Sequence, residues 1–357
     1  RAIQGMFGAL TVPSSLALVL PQFPQTKQAS VIGIWAAAGM VASGLSPGFA
    51  ALVLEFSSWR WVYLVLVPIV AFGLLGAKLY LEETAETKSD SPLDLLGVLM
   101  GSASVFLVVL GTLQGRSWGW LSPYTIACFA GTALLLPLFL LRSSKHPEPL
   151  FDPGLFRIRS FTVSNIAVTF AMVGAFTSWF LWPLYLTEVW GYSKVQVGLA
   201  FTPSPVLSAV VAVLGGRWAD RRGFRGIMTL AALIATVGFL WLYFFLNEEV
   251  RFWFAFFPSS IMFGFGMGVL ASQLNSAALR DIPPESTATA NGIHQSLRYA
   301  VGGMGAATAI TILNGTHEVQ RYSLMWLLLG VLMVLVAPLM WFLYPKQQNG
   351  EENHSRE

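Results

Sequence analysis

Charged residues are scarce in this sequence of 357 residues. Only 11% of the residues are charged, 55% are hydrophobic, and the mean hydropathy is +0.63. Soluble domains are about one quarter charged, and a water-soluble core cannot absorb this much apolar side chain while so few charges cover its surface. Lipid must therefore cover part of the surface, and the composition indicates an integral membrane protein.

Several chemical signatures are also missing. Cys128 is the single cysteine, so no intrachain disulfide can hold the fold together. The four histidines are scattered without metal-ligand spacing, and no G-x-x-x-x-G-K-[ST] segment occurs. The net charge of +3 lies in short loops between apolar runs. We therefore expect no metal, cofactor, nucleotide or nucleic acid partner, and no enzymatic activity.

Long apolar runs fill most of the chain. A bilayer core about 30 Å thick needs about 20 apolar residues in a helix, and lipid leaves no partner for open backbone groups. Such runs predict an all-α membrane protein with eleven transmembrane helices. Their approximate spans are 1–20, 31–53, 60–81, 94–113, 121–141, 161–183, 195–214, 227–246, 251–274, 289–313 and 321–343.

The charges between the runs predict an orientation. Of the basic residues in loops, fourteen fall on one side and five on the other. Lys and Arg in short loops are retained in the cytoplasm. We therefore expect the loop at 215–226 and the C-terminal tail to be cytoplasmic, in the cell (inner or plasma) membrane.

One cytoplasmic loop, at 215–225, is tight and heavily charged. Gly216 permits close helix approach, Gly223 allows a turn with positive φ, and Asp220 can accept hydrogen bonds beside Arg221 and Arg225. Two interpretations stand: a gating latch between helix bundles, or a turn whose charges only orient the protein.

The loop residues Gly216, Asp220, Arg221, Gly223 and Arg225 fit G-x-x-x-D-R-x-G-x-R, which resembles the signature loop of the major facilitator superfamily. Three more segments are similar to the fourteen-helix drug:proton antiporter branch. They are the R-x-x-Q-G-x-x-G-A segment at 1–9, Ser58–Tyr63 with Pro68, and Ile282–Glu285 with Ala290–Gly292 and Arg298.

The resemblance implies a major facilitator fold with eleven of fourteen helices, and a chain truncated before the fourth helix. It implies residues 1–81 as half of an N-terminal six-helix bundle, 82–149 as an inserted helix pair, 150–344 as a C-terminal six-helix bundle and 345–357 as a cytoplasmic tail. Small residues would pack helices at Gly5 and Gly8. In the fifth helix the family usually carries a run of glycines. This chain has Gly33, Ser46 and Pro47 with other small residues at the corresponding spacing, so close helix packing is expected to survive.

The implied function is ion-driven efflux of drug-like or amphipathic molecules by alternating access, with H⁺ as the coupling ion. No Asp or Glu lies deep in any of the eleven runs, and the family's usual coupling acid belongs to its first helix. Symport or uniport of another small organic solute on the same fold stays open, as does a membrane receptor or scaffold that does not transport.

Polar residues inside apolar helices mark candidate sites, because each is costly in lipid unless paired or hydrated. Candidate coupling residues are Arg1, Gln4, Asn291, His294, Gln295 and Arg298. The last four form one helical stripe, which faces either a water-filled path or the membrane interface. Candidate cavity residues are Trp179, Trp182, Tyr185, Asn165, Gln273 and Asn275. The aromatic ones suit either a flat cationic or aromatic substrate or an outer interfacial belt.

Overall fold

The protein is described by a computed structural model over residues 2–19, 22–23, 52–81, 94–146, 151–283, 286–313 and 318–346, with single helical positions between 31 and 50. Three predicted site residues lie outside the described part: Arg1, Gly33 and Pro47. The tail beyond residue 346 and the side chain of Asp220 also lie outside it.

Helices make up the regular structure of the described residues. They are α1 (Ala2–Val19), α2 (Trp59–Leu64), α3 (Leu66–Tyr80), α4 (Leu95–Trp118), α5 (Pro123–Ser143), α6 (Arg159–Glu188), α7 (Lys194–Phe201), α8 (Pro203–Arg222), α9 (Phe224–Phe245), α10 (Phe257–Leu279), α11 (Thr287–Leu313) and α12 (Val319–Pro338). A 3₁₀ turn covers Pro153–Arg157, and π-helical turns cover Phe252–Phe256 and Leu339–Leu343. The predicted all-α class is confirmed.

The predicted apolar runs coincide with these helices, apart from the run at 31–53, of which only single positions and short stretches are described. Two runs are interrupted by short breaks, at Val65 between α2 and α3 and at Thr202 between α7 and α8. Eight of the described segments are long and apolar enough to cross a membrane. The total of eleven transmembrane helices stays a prediction.

The N-terminal helices expose most of their apolar surface. No residue of the segment Trp59–Tyr80 is buried, and its large side chains face outward. Gly5 and Gly8 on α1 are exposed, with no described atom within 4 Å of the position that a Cβ would take. The prediction that these two glycines pack against a neighbouring helix is therefore not met among the described residues, and Ser46 is also exposed.

The α4–α5 pair is a helical hairpin closed at one end by an ion pair. Asp94 is the N-cap of α4: its carboxylate accepts from the Gly97 amide at 2.9 Å and from Arg142 Nε on α5 at 2.8 Å. The Gly97 hydrogen bond, and then Arg142, hold the pKa of the Asp94 carboxyl below its usual value. The hairpin also contacts the rest of the fold, because Thr311 Oγ1 on α11 donates to the Thr112 carbonyl at 3.0 Å.

Helices α6 to α12 form a bundle with one large buried core. Helix α10 packs against α8, α9 and α6, while α11 packs mainly against α6 and α4. Trp182 lies at the centre, 1% exposed, with edge-to-face contacts to Phe201, Phe256 and Phe263 at centroid distances of 5.7, 5.1 and 4.9 Å. Aromatic pairs in this geometry add to the burial of their apolar area.

Three alternate glycines let α10 approach two neighbours closely. A Cβ at Gly264 or Gly268 would lie 2.6 or 2.5 Å from the carbonyl oxygens of Ser204 and Ser208 on α8. A Cβ at Gly266 would lie 2.6 Å from the Cβ of Ala235 on α9. The run Gly264, Gly266, Gly268 is therefore a packing device in a helix and not a phosphate-binding loop.

Candidate functional site

The polar stripe on α11 divides into a paired edge and an unpaired face. His294 is 1% exposed, and its Nδ1 lies 3.1 Å from Oδ1 of Asn165, which is 2% exposed on α6. Asn165 also donates through Nδ2 to the Phe161 carbonyl at 2.8 Å. The pair therefore joins α6 to α11 inside the bundle, with both side chains buried.

The other three residues of the stripe hold buried polar atoms without a described partner. They are Oδ1 of Asn291, Oε1 of Gln295 and Nε of Arg298. At 3.6 residues per turn these side chains fall within an arc of about 60°. Oδ1 of Asn275 on α10 is a fourth such atom. Buried polar atoms are nearly always hydrogen-bonded, so the three atoms on this face of α11 point to a place that water or a ligand completes.

An aromatic surface continues from this face. The rings of Phe176 and Trp179 on α6 are 5.3 Å apart, and Phe176 meets Tyr299 of α11 edge-on at 6.1 Å. The guanidinium carbon of Arg298 lies 6.0 Å from the Tyr299 ring centre. Trp179 and Tyr299 are 43% and 53% exposed. The result is a connected surface of three rings that ends at a positive charge.

Two of the predicted cavity residues lie elsewhere. Trp182 fills the bundle core, as described above. Tyr185 is 1% exposed and donates through its hydroxyl to the Asn247 carbonyl at 2.8 Å, beside Trp190 and Tyr322. Neither ring can stack on a substrate in this conformation, so Trp182 and Tyr185 are removed from the candidate cavity residues. Trp179 is exposed, and the choice between a cavity wall and an outer interfacial belt stays a prediction for it.

The side chain of Gln273 is buried against the neighbouring helix α8. It is 6% exposed on α10, and its Nε2 lies 3.1 Å from Ser272 Oγ and 3.5 Å from the Ala212 carbonyl on α8. A Cβ at Gly216 would lie 3.4 Å from the same Nε2. That is an ordinary van der Waals contact with the end of a flexible side chain, so the predicted packing role of Gly216 stays a prediction. Gln4, another predicted polar site, is exposed on α1.

The charged loop is a tight reversal between α8 and α9. Gly223 has φ +80° and donates its amide to the Ala219 carbonyl at 2.7 Å, which confirms the predicted positive-φ turn. Arg221 is exposed. Arg225 lies with its guanidinium carbon 5.7 Å from the ring centre of Trp341, and its buried Nε has no described partner.

Sequence comparison decides the family. The Major Facilitator Superfamily profile matches residues 1–98, 95–307 and 166–357, which together cover the whole chain. The chain belongs to the Major Facilitator Superfamily. This is a family of membrane transporters and not of enzymes, and the resemblance seen in the signature loop is confirmed.

Several known proteins are similar to this chain over most of its length. Multidrug resistance protein 3 of Bacillus subtilis is 27% identical over 90% of this chain and 62% of its own length. The tetracenomycin C resistance and export protein of Streptomyces glaucescens is 27% identical over 86% and 57%. The multidrug export protein EmrB of Escherichia coli is 25% identical over 91% and 63%. The chain thus spans about three fifths of the length of these relatives.

Among solved structures, a D-xylose–proton symporter of the superfamily superposes with a TM-score of 0.45 at 14% identity, over 94% of this chain and 92% of that one. The profile match, and not this distant likeness, assigns the fold.

Proposed function

We propose that this superfamily member is a secondary active transporter that exports amphipathic small molecules by alternating access. Three relatives that match most of the chain carry names of drug resistance or export proteins. The observation that supports a substrate path in this chain is the unpaired polar face of α11, with Asn291, Gln295 and Arg298. Transporter sites lie near the midplane between bundles, and unpaired polar atoms there are costly unless they meet water or substrate.

The proposed gating element is the loop of Gly216, Asp220, Arg221, Gly223 and Arg225. The turn at Gly223 lies within a dense set of charges at the end of α8. Charge-assisted bonds made there in one state and broken in the other would set the balance between the two conformations. Two of the arginines in this loop, Arg221 and Arg225, are available for such bonds: Arg221 is exposed, and Arg225 has a buried nitrogen without a described partner.

The proposed energy source is the proton gradient across the cell membrane, with the C-terminus in the cytoplasm. The bias of basic residues toward the loop at 215–226 supports this orientation. A gradient-driven exporter should release its substrate from loaded cells only while the gradient lasts.

The test is efflux from bacterial cells that lack their own drug exporters and express the protein from its complete gene. Cells are loaded with a fluorescent amphipathic dye, energised with glucose, and followed with and without a protonophore. We expect efflux above the empty-vector rate, abolished by the protonophore. Efflux at the empty-vector rate, for a panel of neutral, anionic and cationic dyes at matched membrane expression, would contradict the proposal.

A further inference from the structure

We infer that the path along α11 selects amphipathic organic anions over organic cations; this inference rests on the transport function proposed above and names its substrate class. Three features of the described parts of α6, α10 and α11 favour an anion: the sign of the fixed charge, the rings beside it, and the spacing of the unpaired polar atoms.

The fixed charge of this surface is positive. Arginine stays protonated in proteins, and the stripe places Arg298 on α11 with its Nε buried and without a described partner. Helices α10 and α11 contain no Asp or Glu, and the acidic residue of α6, Glu188, is its last residue. A guanidinium that has no carboxylate partner among the described residues attracts an anion and repels a cation in a low-dielectric site.

The α6 side chains that are described in contact with α11 are neutral. Asn165 is occupied by its contact with His294, and Phe176 and Trp179 offer only ring surface. Tyr299 extends the ring surface to the guanidinium. A substrate that stacks on these rings therefore brings its polar group to Arg298, where a carboxylate or phenolate forms a charge-assisted hydrogen bond.

The unpaired amide oxygens favour a bound molecule that also carries hydrogen-bond donors. Oε1 of Gln295 and Oδ1 of Asn291 lie one and two helical turns from Arg298, which corresponds to about 5 and 10 Å along the axis. Oxygens at these positions accept from hydroxyl or amine hydrogens of a bound molecule. The preferred ligand is thus an aromatic acid with hydrogen-bond donors up to about 10 Å from its anionic group.

The test compares three probes that share one ring system and differ in charge: 2-naphthoate, 2-naphthylmethanol and 2-naphthylmethylammonium. The protein, expressed from its complete gene, is placed in phosphatidylcholine nanodiscs, and binding of each radiolabelled probe is measured by equilibrium dialysis. Binding to empty nanodiscs is subtracted. We expect naphthoate to bind at least tenfold more tightly than the ammonium probe, with the alcohol between them. Tighter or equal binding of the ammonium probe, or no binding of naphthoate, would overturn the inference.

Three variants assign the preference to one side chain. Arg298→Gln should reduce the tenfold preference to less than twofold, and Arg298→Lys should retain most of it. Arg251→Gln, which removes an exposed arginine paired with Glu249, is the matched control and should leave it unchanged. A preference that survives in Arg298→Gln would refute the assignment. If that variant fails to fold, the probe comparison on the unaltered protein still decides the charge preference.

Counterflow of the same probes in liposomes separates this inference from the proposed function. Counterflow of the ammonium probe without counterflow of naphthoate would leave the transporter standing and refute the anion preference. Tight naphthoate binding that depends on Arg298, without counterflow of any probe, would support the anion site and contradict the transport function.

Discussion

Gly268→Ala should destabilise the C-terminal helices, although alanine has the higher helix propensity. The new Cβ would lie 2.5 Å from the Ser208 carbonyl oxygen and 2.7 Å from the Ser208 Cα. Both are backbone atoms, so relief requires α8 to move away from α10. Overpacking of this kind costs about 1–3 kcal/mol.

The same movement weakens a hydrogen bond between the two helices. Ser208 Oγ donates to the Gly264 carbonyl at 2.7 Å, one turn from Gly268, and such a bond contributes about 1 kcal/mol. The two effects sum to a loss of about 2–4 kcal/mol. For a bundle of this size each kcal/mol lowers the melting temperature by about 2–4 °C, so we expect a decrease of roughly 5–15 °C.

The assay is the temperature at which half of the detergent-solubilised protein leaves the monodisperse peak in size-exclusion chromatography. Gly303→Ala on α11 is the control, because no described atom lies within 4 Å of its Cβ position. Alanine is favoured over glycine in a helix by about 0.5–1 kcal/mol, so the control should melt at the same temperature or slightly higher. Equal stability of Gly268→Ala and the control would refute the close approach of α8 and α10.

Three further predictions address orientation, gating and pH. An impermeant thiol reagent applied to intact cells should label single cysteines placed at 247–250 but not at 215–226; labelling of the latter would reverse the topology. Asp220→Asn should reduce the transport rate without lowering membrane expression, as measured by efflux at matched protein level, and an unchanged rate would leave the loop with an orienting role only. Asp94→Ala should lower the thermal stability of the α4–α5 hairpin at neutral pH, because Asp94 caps α4 and pairs with Arg142. Since the Asp94 pKa is lowered in the fold, this contribution is complete above the unfolded pKa of about 4 and is lost as the pH falls through the lowered value; a stability difference that persists unchanged in strong acid would contradict it.

The positions of the helices were predictable because bilayer thickness and backbone hydrogen bonding leave a long apolar run few alternatives. Local geometry was predictable where one residue type has a single explanation. Gly223, for example, adopts the positive φ expected of it.

Which residues belong to the candidate site was less predictable. In a membrane protein the core and the lipid-facing surface are both apolar, so the sequence could not distinguish the buried Trp182 and Tyr185 from the exposed Trp179. The stripe on α11 was visible as a pattern, but its division depends on Asn165 of α6, which lies 129 residues from His294. Tyr299 was missed because a single tyrosine in an apolar helix carries no signal until Phe176 is found beside it.

We propose that the unpaired face of α11 lines a water-accessible path, and the reactivity of cysteines placed along this helix is a direct measure of that access. Replacing Cys128, and any cysteine that the complete gene encodes outside residues 1–357, with Ala provides a background without thiols. Gln295→Cys and Ile293→Cys are then compared; Ile293 lies on the same helix but is 2% exposed in an apolar cluster. Vesicles of both orientations are treated with an impermeant methanethiosulfonate reagent. We expect the reagent to label position 295 rapidly, bound 2-naphthoate to slow that labelling, and position 293 to remain unlabelled. Position 295 as unreactive as position 293 from both sides of the membrane would contradict it.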